Sequence, residues 1–131
     1  MVVMVDYDGQ DALKTYLNGL AWTALTEPTY FFWQDQKASE IPNVVLIDLV
    51  TLTTERLNES AYYLHHHMTV NYAHSTKVNG WANLKYIIKN LWVLASASAF
   101  YSLPGTITVH YTELRKTFQI PITYSELISL T

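Results

Sequence analysis

The chain has 131 residues, the size of one domain, which excludes a multidomain machine. Hydrophobic residues make up 50% and aromatic ones 14%, which excludes disorder; charged residues are only 15%, against roughly 25% in an average soluble domain, so part of the surface is expected to be uncharged or covered by other subunits. The formal charge of -3 leaves no net basic field for phosphate backbones, and general nucleic-acid binding is not expected on that ground.

Met1 to Asp8 lacks a basic start and meets acids too early for a signal peptide, and no apolar run reaches the roughly 18 residues of a membrane span. From Asp11, Leu13, Tyr16, Leu17 and Leu20 recur at helical spacing, with Asp8 or Asp11 to cap the first turn and Asn18-Gly19 to end it. After Pro28, Thr29 to Trp33 combine β-branched and aromatic residues in a short strand. Gln34 to Pro42 is polar and reads as a long hairpin connection to a central strand, Val44 to Leu52, with Leu46 and Asp48 on one face and Ile47 and Leu49 on the other.

Thr53 to Glu59 reads as a polar turn, and Tyr62 to Tyr72 then alternates as a half-exposed strand. Trp81, Leu84, Ile88, Leu91, Trp92 and Ala95 restore helical spacing. Ile107 to Tyr111 and Phe118 to Tyr124 read as a closing hairpin around a charged turn, Glu113 to Lys116. Pro121 donates no ladder bond, so the last strand is an edge or is locally unpaired there. There is no repeat or linker. The expected fold is a single α+β domain over residues 1–131, a mixed and mainly antiparallel sheet with two helices packed on it, in the order αβββαββ.

His65-His66-His67 is the foremost chemical candidate, because on a strand His65 and His67 share a face and supply two of the ligands zinc needs. His74, His110 or Glu113 is available as a third, none at a defining spacing; the alternative is an ordinary exposed strand face with His66 turned to the core and hydrogen-bonded. Asp6 to Asp11 has acids enough for a calcium loop but neither the order nor the closing glutamate, and helix capping explains them. The absence of cysteine excludes disulfides, thiol nucleophiles and cysteine-ligated metal, and fits assembly inside a cell. Asn58-Glu59-Ser60 is a glycosylation acceptor that is idle without secretion. Glu55 and Glu59 fall in the predicted turn with no buried setting to shift them, so acid-base chemistry has no support and no enzyme, metal or cofactor is expected.

The ten tyrosines and four tryptophans fit either a protein interface or an aromatic core. Tyr63, Tyr101 and Tyr111 suit either role, whereas Trp81, Trp92 and Phe118 are expected in the core. Charge is segregated along the chain: residues 1–60 set nine acids against Lys14, Lys37 and Arg56, a net -6, and residues 61–131 set five bases against Glu113 and Glu126, a net +3.

The order of elements, the strand Thr29-Tyr30-Phe31-Phe32, the stretch Ser39-Glu40-Ile41-Pro42 leading into Val44-Val45-Leu46-Ile47, the Thr/Glu-rich turn, the strand Tyr62 to Tyr72 and the charged Glu113-Leu114-Arg115-Lys116 resemble the tail terminator and tail-completion proteins of long-tailed bacteriophages, the lambda-type terminator in particular. The resemblance implies a virion protein, assembled in the host cytoplasm, that forms a ring, commonly a hexamer, on the tail tube. Its partners are then copies of itself, the major tail protein and the head connector. It implies no catalysis, membrane or specific nucleic-acid contact beyond DNA passing through the ring. Subunits of a ring meet through two different faces, and the oppositely charged halves suit that contact. The contact elements expected are Gln34 to Glu40 and Thr53 to Asn58, and the candidate interface residues are Lys37, Glu40, Glu55, Arg56, Tyr63, Arg115 and Lys116. A neck or head-completion protein of the same virion shares size and class. The reading from a different class is a small His-dependent zinc protein built on His65 and His67.

Overall fold

The computed structural model describes residues 8–22, 28–31, 43–75, 80–111 and 115–131. The elements are α1 (Asp8–Asn18), β1 (Thr29–Phe31), β2 (Asn43–Arg56), β3 (Ala61–Ser75), α2 (Gly80–Ala97), β4 (Tyr101–Ser102), β5 (Thr108–Tyr111) and β6 (Arg115–Ser129). They form the α+β architecture expected, with the short β4 added. One six-stranded sheet has the order β1-β2-β3-β6-β4, and β5 pairs β6 beside β4.

β3 organises this sheet. It pairs antiparallel with β2 from Asn43↔His74 to Arg56↔Tyr62, and with β6 from Ser75↔Arg115 to Ala61↔Ser129. Its alternation sends Met68, Val70 and Tyr72 to one face, where they are buried, and His65, His67 and Thr69 to the other, where they are half-buried. Val45 and Ile47 of β2 and Phe118, Ile120 and Ile122 of β6 join the buried face, and Leu13 and Leu17 of α1 and Leu84, Ile87 and Leu91 of α2 pack onto it. Fully burying side chains of this size stabilises the fold by about 1.5–3 kcal/mol each.

Polar groups lock the helices in place. The Tyr16 hydroxyl donates to the Asn90 carbonyl at 2.8 Å, and that of Tyr86 to the Ala21 carbonyl at 2.6 Å, tying α1 to α2 across the loop that follows α1. Gln10 Nε2 donates to the Ile47 carbonyl at 2.9 Å, seating α1 on β2. Under α2, Asn83 Nδ2 donates to the Tyr72 hydroxyl at 3.1 Å, which in turn donates to Asn43 Oδ1 at 2.5 Å. Burial pushes the Tyr72 phenol up to about 12, against the opposing pull of the Asn83 bond, so it remains a donor at every physiological pH. The imidazole of His74 stacks at 5.7 Å on Tyr72 and 5.9 Å on Phe118 and lies directly over Gly80, where a Cβ would run into the ring. Glycine is required there for close approach.

Five expectations are corrected. β1 runs parallel to β2, Thr29↔Val44 to Phe31↔Leu46, so the segment between them is a crossover and not a hairpin; parallel neighbours need a connection of this length. β2 does not stop at Leu52 but continues through Thr53–Arg56, because threonine is itself a strand former and β3 supplies partners there. It is the second strand in order, with β3 and β6 more central. Trp81 and Trp92 are exposed, 61% and 47%, because the buried stripe of α2 runs through Leu84, Ile87 and Leu91 and both indoles fall outside it, whereas Phe118 is buried as expected. Arg115 and Lys116 belong to the start of β6 and not to a turn, with Lys116 paired to Tyr111.

Pro121 falls where β6 has β3 alone beside it, in the gap between Gln119, paired to β5, and Thr123, paired to β4. Its missing N–H thus removes no bond on that side. The register between β2 and β3 slips between Leu49 and Thr51, leaving Val50 as an extra residue.

Ile87→Ala, at a position with no solvent exposure, is expected to cost about 2–5 kcal/mol of unfolding free energy. Trp92→Ala should cost clearly less, although it removes more atoms, because its ring is half in water already. Urea unfolding of the two variants measures the contrast.

Candidate functional site

The core cluster ends at Leu49, Met68 and Tyr124, but the three long strands continue past it. Beyond that point β2, β3 and β6 form a three-stranded slab in rows: Thr53–His65–Ser125, Thr54–Leu64–Glu126, Glu55–Tyr63–Leu127 and Arg56–Tyr62–Ile128. Every residue of β2 from Val50 to Arg56 is exposed, Val50 at 64% and Leu52 at 47%; Leu57, Leu127 and Leu130 add further exposed apolar side chains at the same end. Solvent-facing apolar residues clustered at one end of a fold mark an interaction surface.

The candidate interface residues separate into groups. Glu55, Arg56 and Tyr63 come together in this slab, where Glu55 pairs with Tyr63. Arg115 and Lys116 lie at the opposite end of the sheet, beside Ser75 and His74. At a strand rise of about 3.3 Å per residue, they are roughly 40 Å from the Leu127 end. Lys37 and Glu40, with the Gln34 to Glu40 segment, lie outside the described residues. Tyr101 packs against the core with its ring centroid 5.0 Å from that of Tyr124, and burial, helped by Tyr124, raises its phenol. The side chain of Tyr111 is outside the described set.

The slab carries two unlike faces. On the face away from the core, Tyr63 stacks on His65 at 5.8 Å, and a polar ladder crosses the strands. His65 Nδ1 meets Ser125 Oγ at 2.7 Å; His67 Nδ1 meets Thr123 Oγ1 at 3.2 Å and its Nε2 meets Thr53 Oγ1 at 2.7 Å. Hydroxyls serve as donor or acceptor, so each can match whichever tautomer the ring adopts. On the core side, His66 is buried as the sequence reading expected: its Nε2 lies 3.1 Å from Glu126 Oε2, and its ring sits 5.3 Å from that of Tyr124 and beneath Gly9 of α1. Glu55, Tyr63, His65, Ala99, Phe100 and Ser125 line an open cleft on the outer face.

The chemistry open to this arrangement is limited by its geometry. Ser125, His65 and Glu55 are the residue types of a nucleophile relay, and Glu55 is in a strand and not in the predicted turn. Its carboxylate, however, is 66% exposed and 3.8 Å from His65 Nε2, beyond hydrogen-bond length, so it does not orient the ring as a buried carboxylate does. His65 and His67 share a face as expected, with ring centroids 6.2 Å apart, but each is engaged by its own hydroxyls. Among the described residues no group of three His, Cys, Asp or Glu side chains is placed to hold an ion, and no helix is long and apolar enough to cross a membrane. What the slab offers is surface: an aromatic and hydroxyl-rich face, exposed leucines and a strand edge. No family model matches the chain, and no curated protein matches it.

Ser125, Thr123 and Phe100 were not singled out from sequence. The alternation of the last strand carried a signal, since Thr123 and Ser125 share a face; only the register places them opposite His67 and His65.

On the same outer face, nearer the centre, Asp48 accepts a 2.8 Å bond from Asn71 Nδ2. Burial raises the Asp48 carboxyl above its ordinary 3.8, outweighing the lowering by the Asn71 bond. A raised carboxyl favours the fold below its unfolded value, and that contribution is lost as pH climbs through the folded value. Asp48→Asn, which keeps an oxygen for Asn71, should therefore equal the wild type near pH 3 and gain on it toward pH 7, as urea midpoints measured across that range will test.

Proposed function

We propose that the chain is a structural subunit that assembles with copies of itself into a ring, as the terminator or completion ring of a long-tailed bacteriophage tail. The observation that supports this reading best is the slab: β2, β3 and β6 run on past the core and expose Val50, Leu52, Leu57, Leu127 and Leu130 to solvent in an isolated chain. Strands of 14 and 15 residues are well beyond the usual length of about 5–6, and their outer third lies beyond the hydrophobic core cluster.

The charge pattern supports it too. Within the sheet, β1, β4 and β5 carry no Asp, Glu, Lys or Arg; β2, on one side of β3, carries Asp48 and Glu55 against Arg56, and β6, on the other side, carries Arg115 and Lys116 against Glu126, so the two strands differ in sign. Such a subunit is suited to head-to-tail contact, in which one flank meets the other flank of the next copy. In the phage reading the ring caps the tail tube and presents its other surface to the head connector. Glu55, Arg56 and Tyr63, on the slab, belong to the subunit contact; Arg115 and Lys116 lie at the far end of the sheet, away from it.

Light scattering coupled to size-exclusion chromatography at low and high salt, with electron microscopy of the purified protein, tests the reading. A closed assembly of several copies, visible as rings or stacked discs, is expected. A strict monomer at high concentration would overturn it.

A further inference from the structure

We infer that the copies join by strand addition, with the slab edge of β6 in one copy pairing in parallel with the slab edge of β2 in the next, so that the sheet continues from subunit to subunit. This deepens the ring reading and rests on its self-association. Two unpaired edges lie at the same level of one molecule. On one side β1 covers only Val44–Leu46 of β2, and Thr51–Arg56 has β3 as its single strand neighbour among the described residues. On the other side β4 and β5 cover β6 up to Tyr124, the Ser125 amide still donates to the Phe100 carbonyl, and among the described residues Glu126–Ser129 has β3 as its single strand neighbour.

Neither edge is built to stay unpaired. Strand edges left in solvent are ordinarily blunted by proline, lysine or inward-pointing charge. Thr51-Leu52-Thr53-Thr54 has none of these and is mostly threonine, a strand former, with charge only at Glu55 and Arg56 at the tip; Ser125 to Ser129 has the single charge of Glu126, which turns to the core side and is taken up there by His66. The bulge at Val50 lies before this stretch, and pairing to β3 is regular again from Thr51 onward.

The occupant is a second copy of this chain, because the two edges are complementary to each other. Both β2 and β6 are antiparallel to β3, so they run in the same direction. A rotation that carries one subunit to the next, about an axis along the strands, preserves that direction and brings β6 against β2 in parallel. The contact is heterologous and uses each edge once. Charge agrees in the helical layer: α1, which carries Asp8 and Asp11 against Lys14, lies over β2, whereas α2, which has Lys85 and Lys89 exposed and no acid, lies over β3 and β4. Head-to-tail addition therefore turns the lysine-bearing flank of one copy toward the acidic flank of the next.

Alternation restricts the register. Glu55, Thr53 and Thr51 share the outer face with Leu127, and a shift by one residue would move a strand's side chains to the wrong side. The chain contains no cysteine, so engineered pairs report without background. Double variants of Leu127→Cys with Thr51→Cys, Thr53→Cys or Glu55→Cys, oxidised in the assembled state, should include one that yields covalent multimers up to the full ring. Leu127→Cys with Thr54→Cys, on opposite faces, should yield none. Because β3 separates β2 from β6 within a chain, beyond the roughly 7 Å limit of a disulfide, any bridge formed is between copies. Amide hydrogen exchange of the unsubstituted protein is the second measurement: Thr51–Arg56 and Glu126–Ser129 should exchange at least tenfold more slowly in the assembly than in the dilute subunit. An intact assembly with no bridge at any of the three positions and unprotected edges would overturn strand addition and leave the ring reading standing. A strict monomer would overturn both.

Discussion

Everything in this molecule depends on β3 being paired along its whole length on both sides. From Ala61 to Ser75 each residue has a partner in β6, and nearly the same span is matched in β2. Half of β3 rests on α1 and α2 through Met68, Val70 and Tyr72; the other half carries the slab. The buried half supplies the stability, and the backbone ladder transmits the resulting rigidity to a region with little core of its own. The exposed end of a strand ordinarily frays. Here it is held on both flanks and by the side-chain contacts His65–Ser125 and Thr53–His67–Thr123.

That division explains why polar residues are tolerated in the middle strand. Among the described residues the outer face has no helical layer, and its imidazoles and hydroxyls satisfy one another laterally, while Asp48 is served by Asn71. On the core side the polar groups are fewer, chiefly Asn43–Tyr72–Asn83 under α2 and His66 against Glu126. A face built this way is nearly uncharged without being greasy. It fits a subunit whose surroundings are other subunits better than one that must stay apart from them, which agrees with the chain's low charge content.

The exposed tryptophans add a second lesson. Trp81 and Trp92 follow the helical spacing of α2, yet both lie outside the stripe centred on Leu84, Ile87 and Leu91. The helix is apolar around much of its circumference, so periodicity alone leaves its orientation undetermined. The network that fixes its rotation, Asn83 to Tyr72 and Tyr16 to the Asn90 carbonyl, is made of residues far apart in the chain.

The sequence by itself determined the elements and the faces of the strands: two helices, a strand over Val44 to Leu52 with Asp48 opposite Ile47, the alternation that sends His66 inward and His65 and His67 outward, and a closing hairpin into the last strand. These are local properties, set by side-chain period and by what each backbone tolerates. Tertiary structure alone decided the parallel placement of β1, the run of β2 on to Arg56, the gathering of Glu55, Arg56 and Tyr63 apart from Arg115 and Lys116, and the meeting of His65 with Ser125. Each of these depends on strand direction and register between segments up to 60 residues apart. Period-two alternation fixes which side a residue takes but not which residue stands beside it, and only the packing of the shared core selects among the registers that alternation allows.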